Sequence, residues 1–360
     1  MRGGFAQGQI REEQELNVGI IGAGGIASKF HLPELRRIPG VQVTHLAGRN
    51  INRLQRLAAH FEVPHITQDY AALLKDDSVD AVVVAAPHTA HVPLGLQALA
   101  AGKHLLMQKP LCASREEANA FFDAAERSNR TVMCLPHFGA EIYACRELIA
   151  QGKIGKLSGA NCRVSHGGPE VYYAEVRDFF GEEDAALWFF EKGEAAVGAL
   201  FDMGVYAVAS LVAVLGAART VTGTIATADK PTELEDTATL VIQFANGAIG
   251  TAETGWCDPA KTGQLRVHGT RGKLTNGDGS GLTLWEPGSY TREDTPALLH
   301  PIAAQEYGRG SAHEHWIACI RENRQPELSS AKFARHVTEI LLAGLESAHD
   351  GRRVTVHSGL

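Results

Sequence analysis

The 360-residue chain has no apolar stretch approaching the ~20 residues that a membrane-spanning helix requires. It has no Lys/Arg run either. Its 34 basic residues are outnumbered by 41 acidic ones, for a formal net charge of -7. Neither a nucleic acid nor a membrane surface is therefore an expected partner. The six cysteines, Cys112, Cys134, Cys145, Cys162, Cys257 and Cys319, are scattered, with no CxxC pair and no Cys/His cluster at zinc spacing. Such spacing points to reduced, mostly buried thiols in a reducing compartment. The sixteen histidines contain no HExxH, and His313-Glu314-His315 has an i, i+2 spacing that does not converge on a helix. No metal site is expected. The first sixteen residues are polar and Gly-rich, without an apolar core segment or a twin arginine. They read as a disordered lead-in, and the chain as cytoplasmic. No internal repeat or low-complexity tract stands out.

What remains is ordinary globular composition, 44% hydrophobic and 21% charged, over a length that suits two domains. The pattern places them at 17–137 and 138–360. In the first, Asn17–Ile21, Val41–Ala47, Val79–Ala85, His104–Met107 and Thr131–Leu135 read as strands. Helical segments at Ala27–Leu35, Asn52–His60, Tyr70–Leu74, Val92–Ala101 and Glu116–Ser128 separate them. Alternation of this kind predicts a parallel, doubly wound α/β sheet.

Gly22-Ala23-Gly24-Gly25-Ile26-Ala27 falls between the first strand and the first helix. In that context the spacing predicts a dinucleotide loop. Gly22 permits the turn, Gly24 lets a pyrophosphate approach the backbone, and Ala27 keeps the helix near the strand. The helix N-terminus then faces the phosphates. The second strand ends in Ala47-Gly48-Arg49-Asn50, without the acid that would bind an adenosine ribose. Arg49 suits a 2′-phosphate, which favours NADP over NAD.

Two further patterns carry chemistry. In Met107-Gln108-Lys109-Pro110 a lysine follows a buried strand, at the carboxyl ends where open α/β sheets bind ligands. In the stretch Gly198 to Tyr206, Asp202 and Tyr206 are four apart on an otherwise apolar segment. On one helix they share a face, and burying both calls for a ligand or a mutual partner. His137, His166 and Trp188 are lesser candidates for the substrate side. After residue 138 the chain turns β-rich: Thr237–Phe244 and Ala248–Gly255 flank the hairpin signal Asn246-Gly247. Gln264–His268, Lys273-Leu274 and Leu282–Trp285 add strands, while Glu314–Glu322 and Lys332–His349 read as helices. The expectation is an open, mostly antiparallel sheet with helices on one face.

The glycine loop, Gln108-Lys109-Pro110, the Ala86-Pro87-His88-Thr89-Ala90-His91 loop, Gln151–Lys156 and the Asp202/Tyr206 stretch together resemble the Gfo/Idh/MocA oxidoreductases. The resemblance covers nearly the whole chain after residue 16. It departs where the family's Glu-Lys-Pro reads Gln108-Lys109-Pro110, and where Ala86 and His88 replace the usual Thr and Asn. It implies that Ala86, Pro87, His88, His91 and Gln108 line the nicotinamide side, and that the second sheet's outer face makes a homodimer or homotetramer. It also implies hydride transfer between NADP or NAD and a secondary alcohol of a sugar, polyol or related cyclic compound. Tyr206 would take the proton, Lys109 would stabilise the reacting oxygen, and Asp202 would orient the substrate or Lys109. Two alternatives share the fold: a glycosidase that oxidises its substrate transiently, and a ligand-sensing regulator without catalysis.

Overall fold

The structure is a computed structural model describing residues 15–181, 187–277, 279–292 and 294–360. Most of the expected lead-in, residues 1–14, lies outside the described residues.

Strand β1 (Leu16–Ile21) enters the glycine loop. A π-helical turn, Ala27–His31, then runs into α1 (Leu32–Leu35). β2 (Val41–Ala47) leads to α2 (Ile51–Phe61), which Asn50 caps by accepting from the backbone N–H groups of Asn52 and Arg53. β3 (His65–Thr67) is a three-residue strand that periodicity alone did not reveal. α3 (Tyr70–Lys75), β4 (Ala81–Val84), α4 (His91–Ala100), β5 (His104–Met107), α5 (Arg115–Arg127) and β6 (Val132–Cys134) follow. The six strands form one parallel sheet in the order β3-β2-β1-β4-β5-β6. All four residues of β4 are buried, as a strand covered on both faces must be.

α6 (Ala140–Ala150) crosses to β7 (Leu157–Ser165), α7 (Pro169–Phe180) and the short helices α8 (Lys192–Ala195) and α9 (Ala199–Asp202). The long apolar helix α10 (Gly204–Leu215) follows. Then come β8 (Ala218–Ala226), β9 (Thr237–Phe244), β10 (Ile249–Gly255), β11 (Thr262–Gly269), β12 (Gly272–Gly277), β13 (Thr283–Glu286) and β14 (Leu298–Pro301). With β15 (Val354–Thr355) they make a nine-stranded sheet, β14-β13-β12-β11-β7-β10-β9-β8-β15. Only β7 and β10 pair in parallel; the other pairs are antiparallel. The Asn246-Gly247 turn joins β9 to β10, with Gly247 at φ 87°. Along β9, buried and less buried residues alternate, so one face meets α10 and α12 (Ala331–Asp350) and the other is open.

α11 (Ala312–Arg321) returns from the second half of the chain to the first sheet. Its Trp316, Ile317 and Ile320 pack with Leu32, Leu35, Leu106 and Met133, completing the layer of helices on that side. Trp316 is fully buried. Trp316→Ala is expected to cost about 3–5 kcal/mol. Thermal unfolding would show the loss, and a change under about 1 kcal/mol would mean that α11 does not hold the sheet.

No helix among the described residues is long and apolar enough to cross a membrane, and no group of His, Cys, Asp or Glu there is arranged to hold a metal.

Candidate active site

A cavity of about 800 Å³ opens over the carboxyl ends of the parallel strands. Its floor is the glycine loop. Gly22 sits at φ 111°, and a Cβ there would lie 2.3 Å from the carbonyl oxygen of Ala85. Its role is to let β1 pass close to β4. A Cβ on Gly24 would meet nothing within 4 Å, so the space above it is open to a phosphate. A Cβ on Gly25 would lie 2.6 Å from Tyr173 and 2.9 Å from Val176, so α7 rests on the loop. Arg56 donates to the Phe179 carbonyl and Arg53 stands over the Phe180 ring, which fixes the far end of α7 to α2.

Gly22, Ala23, Gly24, Gly25, Ile26, Gly48, Arg49, Asn50, Ala86, Pro87, His88, Gln108 and Lys109 all line the cavity. Ala27 does not. It is fully buried in the core against the sheet, the packing role its position implies rather than a cofactor contact. His91 touches the cavity but is 1% exposed, and its ring nitrogens face the carbonyls of Pro110 (2.7 Å) and Ala86 (2.8 Å). It ties two loops together and leaves no ring nitrogen for a ligand. His88 turns Nδ1 to the Ala195 carbonyl at 3.1 Å and meets Trp188 edge-on. Burial, then His91, pushes His88 down to about 3, so it is neutral.

Lys109, Asp202 and Tyr206 come together in the same cavity. The sequence reading put Asp202 and Tyr206 on one helix; the structure breaks that helix at Met203. Because the Tyr206 N–H bonds to Met203, the Asp202 carbonyl is released from the helical ladder. Lys109 uses it: Nζ donates to the Asp202 carbonyl at 2.8 Å and to Oδ1 at 2.5 Å. The same Nζ stands 5.2 Å from the centre of the Tyr206 ring. Trp256, which nothing in the sequence singled out, donates its indole N–H to Asp202 Oδ2 at 2.9 Å. His166 accepts from the Gly168 N–H at Nδ1, so its proton lies on Nε2, 3.7 Å from Oδ2.

Burial alone would raise Asp202 and lower Lys109. For Asp202 the Lys109 ammonium and His166 outweigh burial and hold the carboxyl well below the usual carboxylate range. Asp202 in turn holds Lys109 above the usual lysine value. The pair is therefore ionised: Lys109 is a donor, not a base.

The remaining candidates divide. Trp188 and His166 line the cavity on the Lys109 side. His137 also lines it, but stands against His315 and near Glu34 and His313, and burial lowers it to about 4. The i, i+2 histidines of α11 are both buried, and His313 reaches the cavity.

Matches to known proteins cover both halves. An "oxidoreductase family, NAD-binding Rossmann fold" model matches residues 16–135, and a "GFO/IDH/MocA C-terminal domain" model matches residues 142–275. The chain belongs to the Gfo/Idh/MocA oxidoreductase family. Among its relatives, trans-1,2-dihydrobenzene-1,2-diol dehydrogenase of Mus musculus is 29% identical over 66% of this chain and 67% of its own. D-xylose 1-dehydrogenase (NADP(+)) 2 of Haloferax volcanii is 28% identical over 71% of this chain and 74% of its own. The structure of GenD2 from gentamicin A biosynthesis, in complex with NAD, superposes with a TM-score of 0.79 at 26% identity, covering 98% of this chain and all of that one. This Gfo/Idh/MocA chain is thus an oxidoreductase with a dinucleotide-binding first sheet.

Proposed function

We propose that the protein transfers a hydride between a nicotinamide dinucleotide and a secondary alcohol of a sugar, polyol or related cyclic compound. One observation carries the reading: the ionised Lys109–Asp202 pair and Tyr206 face the same cavity as the glycine loop. The open space over Gly24 fits a pyrophosphate, and a bound nicotinamide would supply the hydride acceptor. The protein's own part is to orient the carbinol and take up its proton. Lys109, held by two bonds to Asp202, keeps its third N–H for the substrate oxygen and stabilises charge developing there. Tyr206 is assigned as proton acceptor. Asp202 positions Lys109, and is itself held by Trp256. Trp188 and His166 bound the substrate side.

For the dinucleotide we favour NADP. Arg49 lines the cavity at the end of β2, and Ala47–Asn50 contains no carboxylate to repel a 2′-phosphate. We also assign the chain to the cytoplasm, place the domain boundary between residues 137 and 138, and give self-association to the open face of the second sheet, where Val241 and Ile249 are exposed. The test is a titration with NADH and NADPH, followed by a sugar and polyol panel read at the nicotinamide absorbance. Arg49→Ala should weaken NADPH by about tenfold, ~1.4 kcal/mol, and NADH by much less. Equal losses would remove the phosphate role.

A further inference from the structure

Gln108, where the family motif carries an acid, makes two contacts. Its Oε1 accepts from the Lys109 backbone N–H at 2.8 Å. A backbone N–H can only donate, so the other end of the amide is the donor, 3.3 Å from His31 Nε2. His31 must then present a lone pair at Nε2 and carry its proton on Nδ1, which lies 2.7 Å from His313 Nε2. His313 is forced the same way, with Nδ1 facing Glu34 Oε2 at 2.6 Å. The Glu34 end is compatible with it, because a carboxylate only accepts and so takes the His313 Nδ1–H. Both ends agree on one arrangement, with donors running from Gln108 to Glu34. It joins the loop after β5 to the helical segment that carries His31 and Glu34 and to α11.

We infer that Glu34, His313 and His31 form a one-way hydrogen-bond chain that holds Gln108 as a positioning residue for Lys109. The inference rests on the role given to Lys109 above. Burial keeps His31 neutral, and the hydrogen bond from His313 holds Glu34 below the usual carboxylate range. The amide at 108 is what lets both imidazoles stay neutral between it and the Glu34 carboxylate. A carboxylate there would put acceptors at both ends, and two neutral imidazoles donating outward would leave the lone pairs of His31 Nδ1 and His313 Nε2 facing each other at 2.7 Å. The pair would have to take up one proton. The charged and titratable groups facing it are Lys109 on its own loop, Glu34 beside it, His313 on α11, and His137 after β6.

The experiment is imidazole ¹⁵N–¹H correlation on the full-length protein, followed through the neutral pH range. Both His31 and His313 should show Nδ1–H and an unprotonated Nε2. A proton on Nε2 of either ring would overturn the inference. Gln108→Glu should create one imidazolium in this pair. It should also add an ionisation to the kcat profile on the alcohol found in the panel. Activity falls about tenfold as that proton is lost at higher pH, while KM for the alcohol changes less than threefold. Gln108→Leu should lower kcat without adding an ionisation. A Gln108→Glu profile identical to wild type, or an unimpaired Gln108→Leu, would sink the positioning role. The tautomers are read without turnover, so this inference and the reaction assignment fail separately.

Discussion

Replacing Lys109 by alanine is expected to lower kcat by about 10²–10³-fold or more, the cost of removing a donor aimed at developing charge. Dinucleotide affinity should change by less than about threefold. The split follows from position. Lys109 Nζ sits on the Asp202–Tyr206 wall, whereas the open space for a pyrophosphate lies over Gly24. The same substitution strands Asp202, a 4% exposed carboxylate, without its cation. Breaking a buried pair from one side costs about 3–5 kcal/mol, so lost activity in Lys109→Ala alone is open to a trivial explanation. The double variant Lys109→Met with Asp202→Asn answers it. An amide at 202 can still accept from the Trp256 indole and needs no counter-charge. Stability should return while turnover does not. If the double variant, folded and dinucleotide-bound, turns over within about tenfold of wild type, Lys109 is not the group that stabilises the reacting oxygen.

The parts of this architecture that repeat locally were legible in the sequence. β2 and β5 have the bounds that periodicity assigned, and the Asn246-Gly247 hairpin and the closing helix α12 lie where their turn and apolar signals put them. β3 escaped because three residues are too few for a period, and its pairing with β2 is a tertiary matter. The site was legible where a motif lies in one segment, as for the glycine loop and Lys109. It was not legible where distant segments meet. Trp256 reaches Asp202 across 54 positions, and His313 reaches His31 across 282. The break at Met203 was hidden for another reason. A spacing of four is helical by default, and only the Lys109 Nζ waiting for the Asp202 carbonyl explains what satisfies it there.

The glycine loop yields the second large effect, because its glycines are not equivalent. A single spacing pattern treats Gly22 and Gly24 as one signal, but the space around them differs. A methyl on Gly22 would sit 2.3 Å from the Ala85 carbonyl oxygen, at φ 111°, where side chains are strained whatever the room. Gly22→Ala must therefore push β1 from β4 at the centre of the parallel sheet, and is expected to cost about 2–4 kcal/mol of stability. Gly24→Ala adds a methyl that meets no protein atom within 4 Å. The apo protein should unfold within about 1 kcal/mol of wild type, since Gly24 has no positive φ to lose. Its methyl instead occupies the space assigned to the pyrophosphate, so dinucleotide affinity should fall by about 10²-fold, ~2.7 kcal/mol. Thermal unfolding without ligand, beside a dinucleotide titration of each variant, separates the two. Stability loss alone is assigned to Gly22, and affinity loss without stability loss to Gly24. Unchanged affinity in Gly24→Ala would mean that the phosphates do not lie over this loop, and the orientation of the whole cavity, with the nicotinamide toward Lys109, would fall with it.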